Sequence, residues 1–349
     1  MIWVSKSIAV LTLLVIMLAG VRCSSRAGLT VSLQHDPSEK RVNVYAGDQL
    51  FTSYLYSDEI DVLKKPVLYP VYTAGGHAVT RGYPLDPIPG ERVDHPHHIG
   101  FWLNYGDVNG LDFWNNSNAI SAEREPYMGT IRHRDIEKID KNSLWVSADW
   151  LSPDGEVLLH ENTQFQFSAS ESTRVIDRVT TLTALDSPVV FKDNKEGFVG
   201  IRVTRALEHP SDKAVKVTDA SGVATTVPVM DNSNVTGNYL NADGVEGVEV
   251  WGKRSPWVDL RGVLNTEPVH IVLMDHPDNV GYPTYWHARG YGLFAANPLG
   301  QKVFSDGDQE LNFTLQPGEK VTFRYRLAVI SGDVDKQEIE SRYQAFAGK

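Results

Sequence analysis

The segment Asp94-His95-Pro96-His97-His98 holds three of the eleven histidines of the chain. An imidazole titrates near neutral pH, so it can donate a proton, accept one or bind a metal. Pro96 fixes its backbone φ angle and has no N–H, which favours a rigid turn. In an extended segment alternate side chains share a face, so His95 and His97 are expected on one side and Asp94 and His98 on the other. The pattern predicts an active site; a polar turn whose imidazoles bond to backbone groups is the alternative.

Four later segments are also rich in carboxylates, bases and aromatic rings. They are residues 106–114, 193–202, 274–279 and 285–292. The faces of a sugar ring stack on Trp or Tyr, and its hydroxyl groups need paired donors and acceptors. These segments therefore predict a carbohydrate ligand. The substrate-binding candidates are His95, Asp112, Trp114, Arg202, His276, Trp286 and Arg289.

Burial in the core is the ordinary alternative for any single tryptophan. Trp286 is set apart because it lies in the polar sequence Tyr285-Trp286-His287-Ala288-Arg289. We therefore expect Trp286 to form the stacking floor of the site.

Two glutamates are candidate catalytic bases. Glu196 lies at a predicted strand entrance, and a surface salt bridge is its alternative role. Glu161 shares the apolar face of an alternating segment with Phe165 and Phe167, where a carboxylate must be paired or functional. A buried pair with an arginine is the alternative for Glu161.

The resulting hypothesis is acid–base catalysis on a glycan or a modified sugar by a lyase, hydrolase or epimerase. His97 or His98 donates a proton to a ring or leaving oxygen, and Glu196 or Glu161 accepts one. His287 is a further catalytic candidate, which completes the polar wall together with His276.

Two other functions remain open. The first is an iron, zinc or copper enzyme, an oxidoreductase or a hydrolase, with ligands from His95, His97, His276, His287 and Glu196. The second is a sugar-binding module without catalysis. The leading hypothesis assigns no cofactor and no metal ligand.

The sequence has no Gly-rich phosphate loop and no Gly-x-Ser-x-Gly elbow, which disfavours nucleotide-dependent and serine-hydrolase chemistry.

The N-terminal residues predict export. Lys6 precedes the apolar run 8–19, which suits a signal peptide over residues 1–25 and is too short to span a bilayer. Arg22 precedes Cys23, which disfavours lipid anchoring because a lipoprotein signal requires a small residue there. We expect one domain over residues 26–349 in the periplasm or outside the cell. The oligomeric state stays open.

Charge and hydropathy exclude two classes of partner. The formal net charge is −11 and the sequence shows no basic patch, so nucleic acid is not expected. After the N-terminal run no stretch approaches eighteen apolar residues, so the mature chain is expected to have no membrane span.

Alternating apolar and polar residues predict an all-β fold. Residues 159–167, 173–185 and 321–329 are the longest such segments, and shorter ones include 247–251 and 291–296. One helix is expected near the C-terminus, where Asp333 or Asp335 can cap a run with Ile339, Tyr343 and Phe346 on one face. This helix should pack on the outside of a sheet. Residues 220–243 should form the longest irregular stretch.

The motifs together resemble one family. They are the histidine segment with the Phe-Trp that follows it, Gly-Leu-Asp-Phe-Trp at 110–114, Lys-Glu-Gly at 195–197, Asp-His-Pro at 275–277, and Trp-His-Ala-Arg-Gly-Tyr-Gly-Leu-Phe at 286–294 with Asn-Pro at 297–298. Over about residues 29–333 the chain resembles the PmoA-like domain family of exported bacterial proteins. The label "methane oxygenase PmoA" of that family refers to an integral membrane subunit, and this sequence lacks the spans that such a protein requires.

The resemblance implies a large antiparallel β-sandwich, the galactose-mutarotase-like supersandwich. In mutarotases a histidine acid and a glutamate base act across a concave sheet. The roles given to His97, His98 and Glu196 follow this analogy of fold.

Overall fold

The computed structural model describes residues 28–348. The predicted signal peptide, with Cys23, lies outside the described residues. Two eight-stranded sheets dominate the structure, and every strand pair recorded within them is antiparallel. The all-β prediction is therefore confirmed, while the single-domain boundary at 26–349 stays a prediction.

Sheet I carries the histidine segment at its centre. Its strands, in spatial order, are β1 (Val31–Asp36), β2 (Arg41–Ala46), β3 (Gln49–Leu55), β4 (Val67–Val71), β5 (Phe101–Tyr105), β11 (Gly197–Arg202), β18 (Leu293–Asn297) and β17 (Tyr285–Ala288). Strands from distant parts of the chain are neighbours here, so the sheet brings residues near 100, 200 and 290 side by side.

Sheet II contains the long alternating segments. Its strands, in spatial order, are β14 (Asn238–Asn241), β15 (Trp257–Leu264), β16 (Glu267–Asp275), β20 (Lys320–Ser331), β9 (Thr173–Ala184), β8 (Val157–Ala169), β7 (Ser143–Leu151) and β6 (Thr130–Asp140). Two further two-stranded antiparallel sheets pair β10 (Val189–Phe191) with β19 (Phe313–Leu315) and β12 (Val215–Thr218) with β13 (Ala224–Val227).

The main hydrophobic core draws side chains from both sheets. Phe101, Ile201 and Phe294 of sheet I and Phe165 and Leu327 of sheet II are all buried in it. Successive side chains of a strand point to opposite faces, so the face of each sheet that is turned away from this core carries a different set of side chains.

Helix α2 (Lys336–Phe346) covers the outer face of sheet II, as predicted. Ile339 and Tyr343 are buried against a second cluster that contains Trp257 and Met274. The Asp335 carboxylate accepts a hydrogen bond from the Glu338 N–H at 2.8 Å and caps the helix.

Three local predictions need correction. Residues 247–251 contain a short 3₁₀ helix at Gly247–Val250 rather than a strand. The stretch 220–243 is interrupted by β13 and β14. A second, short helix α1 (Gln301–Phe304) is also present. Within residues 28–348 no helix is both long and apolar enough to cross a membrane.

Candidate functional site

The outer face of sheet I forms the base of the candidate site. His287 lies opposite Ala295, Ala295 opposite Gly200, and Gly200 opposite Trp102, so one row crosses four strands. Opposite residues of antiparallel strands share a face. A Cβ atom at position 200 would lie 3.1 Å from Cζ2 of Trp102, so glycine lets the indole lie across the sheet.

The segment 94–98, here called the histidine loop, is clamped by a buried arginine. The Arg81 guanidinium donates to the carbonyl oxygens of Arg92 (3.2 Å), Asp94 (2.7 Å), His95 (2.9 Å) and His98 (3.2 Å). His95 has a left-handed backbone, with φ of 44°. Such a conformation costs about 1–3 kcal/mol for a non-glycine residue and persists only where its surroundings impose it. The clamp imposes it here.

Asp94 joins the loop to the sheet. Its Oδ1 accepts hydrogen bonds from Arg81 at 2.8 Å and from Arg202 at 2.7 Å, and His95 Nδ1 lies 3.3 Å away. Burial alone would raise the pKa of this carboxyl, but the hydrogen bond with His95 and the charges of Arg202 and Arg81 hold it well below its usual range. Asp94 is therefore an ionised anchor.

Four aromatic rings form a stack, here called the ring column. Tyr291 lies on His95 with centroids 5.2 Å apart, His95 on His98 at 4.9 Å, and His98 on Trp102 at 5.4 Å. The Arg202 guanidinium lies 4.8 Å from the Tyr291 ring centroid, in cation–π contact. The column holds the His95 ring between those of Tyr291 and His98.

His98 is buried within this stack, and the buried His97 ring lies edge-on to His95 and His98 at centroid distances of 5.6 and 4.3 Å. Burial, together with the charges of Lys65 and Arg81 among others, lowers the pKa of His97 to about 2. Burial and neighbouring groups, including Arg202, also hold the pKa of His98 well below its ordinary value. Both rings are neutral at physiological pH, so neither can serve as the proton donor assigned to it from the sequence.

Lys65 supports the loop from the other side. Its Nζ donates to the carbonyl oxygen of His97 at 2.7 Å and lies 5.3 Å from the Trp102 ring centroid. Burial lowers the pKa of Lys65 to about 7, against the opposing influence of Asp112. Neither Lys65 nor Arg81 was a candidate from sequence, because neither belongs to a polar or aromatic motif.

Buried nitrogen atoms without a hydrogen-bond partner concentrate in this region. Within residues 28–348, five of them surround the histidine loop: Arg81 Nε, His97 Nε2, His98 Nε2, Trp114 Nε1 and Arg202 Nε. Unsatisfied buried polar atoms are rare and costly, and five of them at one place single out the histidine loop as a candidate site.

Glu196 lies at the entrance of β11, over His287. Its Oε1 is 3.0 Å from Lys195 Nζ, and its Oε2 is 3.8 Å from His287 Nδ1. His287 Nδ1 also lies 2.9 Å from the Lys195 carbonyl oxygen, so it carries the proton and Nε2 keeps the lone pair. Burial and the charge of Arg289 lower the pKa of His287 to about 3.

Exposure separates the groups that can touch a ligand from those that support them. The His95 side chain is 41% exposed and that of Glu196 is 18% exposed, whereas Arg202 is fully buried. Arg289 is exposed and Tyr291 is partly exposed. The accessible surface is thus formed by His95, Glu196, Arg289 and Tyr291, and Arg202 acts from beneath.

Trp286 is a core residue, contrary to the prediction. It is fully buried between the sheets, packs on Phe294 at 5.6 Å and donates its indole N–H to the Ser255 carbonyl oxygen at 2.9 Å. Adjacent strand residues face opposite sides, so His287 at the site requires Trp286 to point away from it.

Glu161 also lies elsewhere. It is buried in sheet II, where it accepts hydrogen bonds from Trp150 (2.9 Å), Thr163 (2.7 Å) and Arg178 (2.7 Å). This is the buried arginine pair that was its alternative role.

His276 is not brought to the site. It follows β16 at the edge of the helix-covered face of sheet II and contacts Phe346 of α2 with ring centroids 5.2 Å apart. The expected convergence of His276 with His95 and His287 is therefore wrong.

Asp112 and Trp114 lie beside the ring column as supporting residues. The Asp112 carboxylate accepts from the Trp114 and Asn115 N–H groups at 3.0 and 2.9 Å, which fixes the turn. Trp114 is buried, with its ring edge-on to His98 at 5.6 Å.

The ligand set of the metal hypothesis is not assembled. His276 lies on the other sheet, and His97 is enclosed by rings. Across residues 28–348 no group of three or more His, Cys, Asp or Glu side chains has the arrangement of a metal site.

A comparison with family models identifies the family. The chain belongs to the family of unknown function DUF6807, whose model matches residues 41–344. The comparison does not confirm the PmoA-like assignment. No curated protein matches this DUF6807 chain.

Several solved structures are distantly similar to this DUF6807 chain. A putative aldose 1-epimerase from Escherichia coli K12 is 11% identical, with 87% of this chain and 100% of that chain covered and a TM-score of 0.35. A galactose mutarotase-like protein from Clostridium acetobutylicum is 10% identical, with 87% and 99% covered and a TM-score of 0.35. A polysaccharide lyase is 10% identical, with 92% and 35% covered and a TM-score of 0.33. With identities of 10–11% and TM-scores of 0.33–0.35, these structures support no statement about the chemistry of this chain, which has to be argued from its own site.

Proposed function

We propose that this protein is an exported carbohydrate-active enzyme that moves protons on a sugar, with Glu196 and His95 in contact with the substrate. One observation carries the proposal. Segments that lie up to about two hundred residues apart in sequence bring an accessible imidazole, carboxylate, guanidinium and phenol ring to one open face of sheet I, above buried groups that hold them.

Glu196 is the proposed base. Its Oε1 pairs with Lys195 and its Oε2 faces the Nδ1–H of His287, so the carboxylate is oriented from two sides. It removes a proton from a hydroxyl group or an activated carbon of the sugar.

His95 is the proposed acid, in place of His97 and His98. Asp94 is ionised and can only accept, so the Nδ1 of His95 carries the proton that faces it and Nε2 is turned away from the anchor. In its protonated form Nε2 delivers a proton to a ring or leaving oxygen. In this scheme Glu196 accepts one proton from the sugar and His95 donates one to it.

The site favours epimerisation or elimination over hydrolysis by two carboxyl groups. Such hydrolases need a protonated carboxyl group as the acid and a second carboxylate nearby. Asp94 cannot be that acid, because Arg81, Arg202 and His95 keep it ionised. A base–imidazole pair suits proton transfer at one carbon or oxygen.

A sugar screen tests this proposal. The purified protein is incubated with glucose, galactose, mannose, xylose, glucuronic acid, galacturonic acid and their disaccharides. Proton NMR in D₂O follows anomer exchange and deuterium uptake, and ultraviolet absorbance follows the unsaturated uronates that elimination produces. Glu196→Gln and His95→Gln should each reduce the rate by about 100-fold or more.

His276→Gln is the matched control, since this histidine lies on the other sheet, and it should retain the wild-type rate. Sugar binding without turnover, unaffected by Glu196→Gln, would instead indicate a binding module. Failure to bind any sugar would overturn the proposal.

A further inference from the structure

We infer that a second sugar subsite lies beside the histidine loop, so that the substrate is an oligosaccharide or polysaccharide rather than a free monosaccharide. This inference rests on the proposed function. The subsite is a groove of about 480 Å³, here called the distal groove, lined among others by Arg92, His209, Trp251, Arg289 and Tyr291. Its volume falls in the range of about 300–1,000 Å³ that small-molecule sites occupy.

The distal groove is continuous with the proposed catalytic face. Tyr291 lines the groove and also stacks on His95, and Arg289 lines the groove while its charge acts on His287. A ligand that touches His95 can therefore extend past Tyr291 without leaving the protein surface. A neighbouring sugar unit of the same chain is the occupant that this continuity favours.

Trp251 gives the groove an aromatic platform. It is 37% exposed and is the only tryptophan among the exposed large apolar side chains of residues 28–348. Phe304 supports it edge-on at 5.5 Å, and the Arg289 guanidinium lies 5.8 Å from its ring centroid. An exposed indole beside a guanidinium offers a stacking face and hydroxyl-directed donors to a sugar.

His209 adds a polar group to the groove. Its ring lies 5.0 Å from Tyr239, and its buried Nε2 has no hydrogen-bond partner among residues 28–348. Arg92, by contrast, is held by Glu208 at 2.8 Å. His209 thus adds an imidazole to the wall of the groove, beside the ion-paired Arg92.

Chain-length dependence of binding tests the inference. Isothermal titration compares the monosaccharide, disaccharide and tetrasaccharide of the cello-, manno-, xylo- and galacturono-series with the wild-type protein. In the series that binds, the tetrasaccharide should bind about three- to tenfold more tightly than the monosaccharide. Trp251→Ala should remove this gain and leave monosaccharide affinity unchanged.

Trp145→Ala is the matched control, because Trp145 is a partly exposed tryptophan on sheet II with Lys138 4.7 Å from its ring centroid. The Trp145→Ala variant should still bind the tetrasaccharide more tightly than the monosaccharide. Equal wild-type affinity for the monosaccharide and the tetrasaccharide would overturn the subsite and leave the proposed function standing, and this comparison requires no variant. Absence of binding in every series would overturn both.

Discussion

The charge state of the buried histidines determines what each can do. Burial makes His97, His98 and His287 costly to charge, and nearby positive groups add to this cost, Arg202 at His97 and His98 and Arg289 at His287. They therefore act as neutral packing and hydrogen-bonding groups. From the sequence the donor role was assigned to His97 or His98 and substrate binding to His95, because residue type does not report solvent access.

The lowered histidine pKa values predict acid sensitivity. His97 and His287 have folded pKa values of about 2 and about 3, while the unfolded chain takes up protons near pH 6.5. The unfolded state then binds more protons, so stability falls as the pH drops below about 6.5. Each histidine should cost about 1–2 kcal/mol between pH 7 and pH 5.

Urea denaturation at the two pH values measures this loss. A His97→Gln variant should show a smaller loss than the wild type, and His160→Gln, which changes a more exposed histidine, serves as the comparison. An unchanged pH dependence in His97→Gln would contradict the neutral assignment.

At the scale of the element, strand parity explains both successes and errors. Residues 173–185 and 321–329 alternate cleanly and form β9 and β20, and the capped C-terminal helix lies where its apolar spacing indicates. The same parity, applied to β17, would have excluded Trp286 once His287 was chosen. The strand predicted at residues 247–251 was wrong because a short apolar run is compatible with both a strand and a 3₁₀ helix.

The cap of α2 supplies a prediction about one element. Asp335→Ala removes the acceptor for the Glu338 N–H and should reduce stability by about 1 kcal/mol. Asp333→Ala changes an exposed carboxylate just before the cap and should have an effect within about 0.5 kcal/mol. Thermal or urea unfolding measures the stability of the two variants. Equal losses of stability would show that the hydrogen bond between Asp335 and the Glu338 N–H is not the source of the effect.

At the scale of the whole molecule, the two sheets have separate tasks. The outer face of sheet I carries the histidine loop, while the outer face of sheet II is covered by α2, and both sheets share the main core. Arg81 and Lys65 reach the loop through loop-to-loop contacts that no sequence spacing specifies. The sequence could therefore name most groups on the proposed catalytic face, but not the cations beneath it or the groove that continues from it.

This division predicts opposite behaviour for two glutamates. Glu161→Gln deprives the buried Arg178 of its charge partner and should destabilise the fold by about 3–5 kcal/mol. Its activity, measured well below the unfolding temperature, should stay near the wild-type rate. Glu196→Gln should instead lose activity and keep its unfolding midpoint, because its carboxylate is at the surface edge. A loss of activity in Glu161→Gln without a shift in midpoint would contradict the division.

The Arg81 clamp ties the histidine loop to residue 81 directly, across the peptide that leads into the loop. Residues 86–90 are exposed, and the clamp joins residue 81 directly to the carbonyl oxygens of residues 92–98. A protease cut or a short insertion within 86–90 would leave both sides tethered through one guanidinium. That turn is consequently the natural place to attach a reporter dye or an affinity tag next to the site.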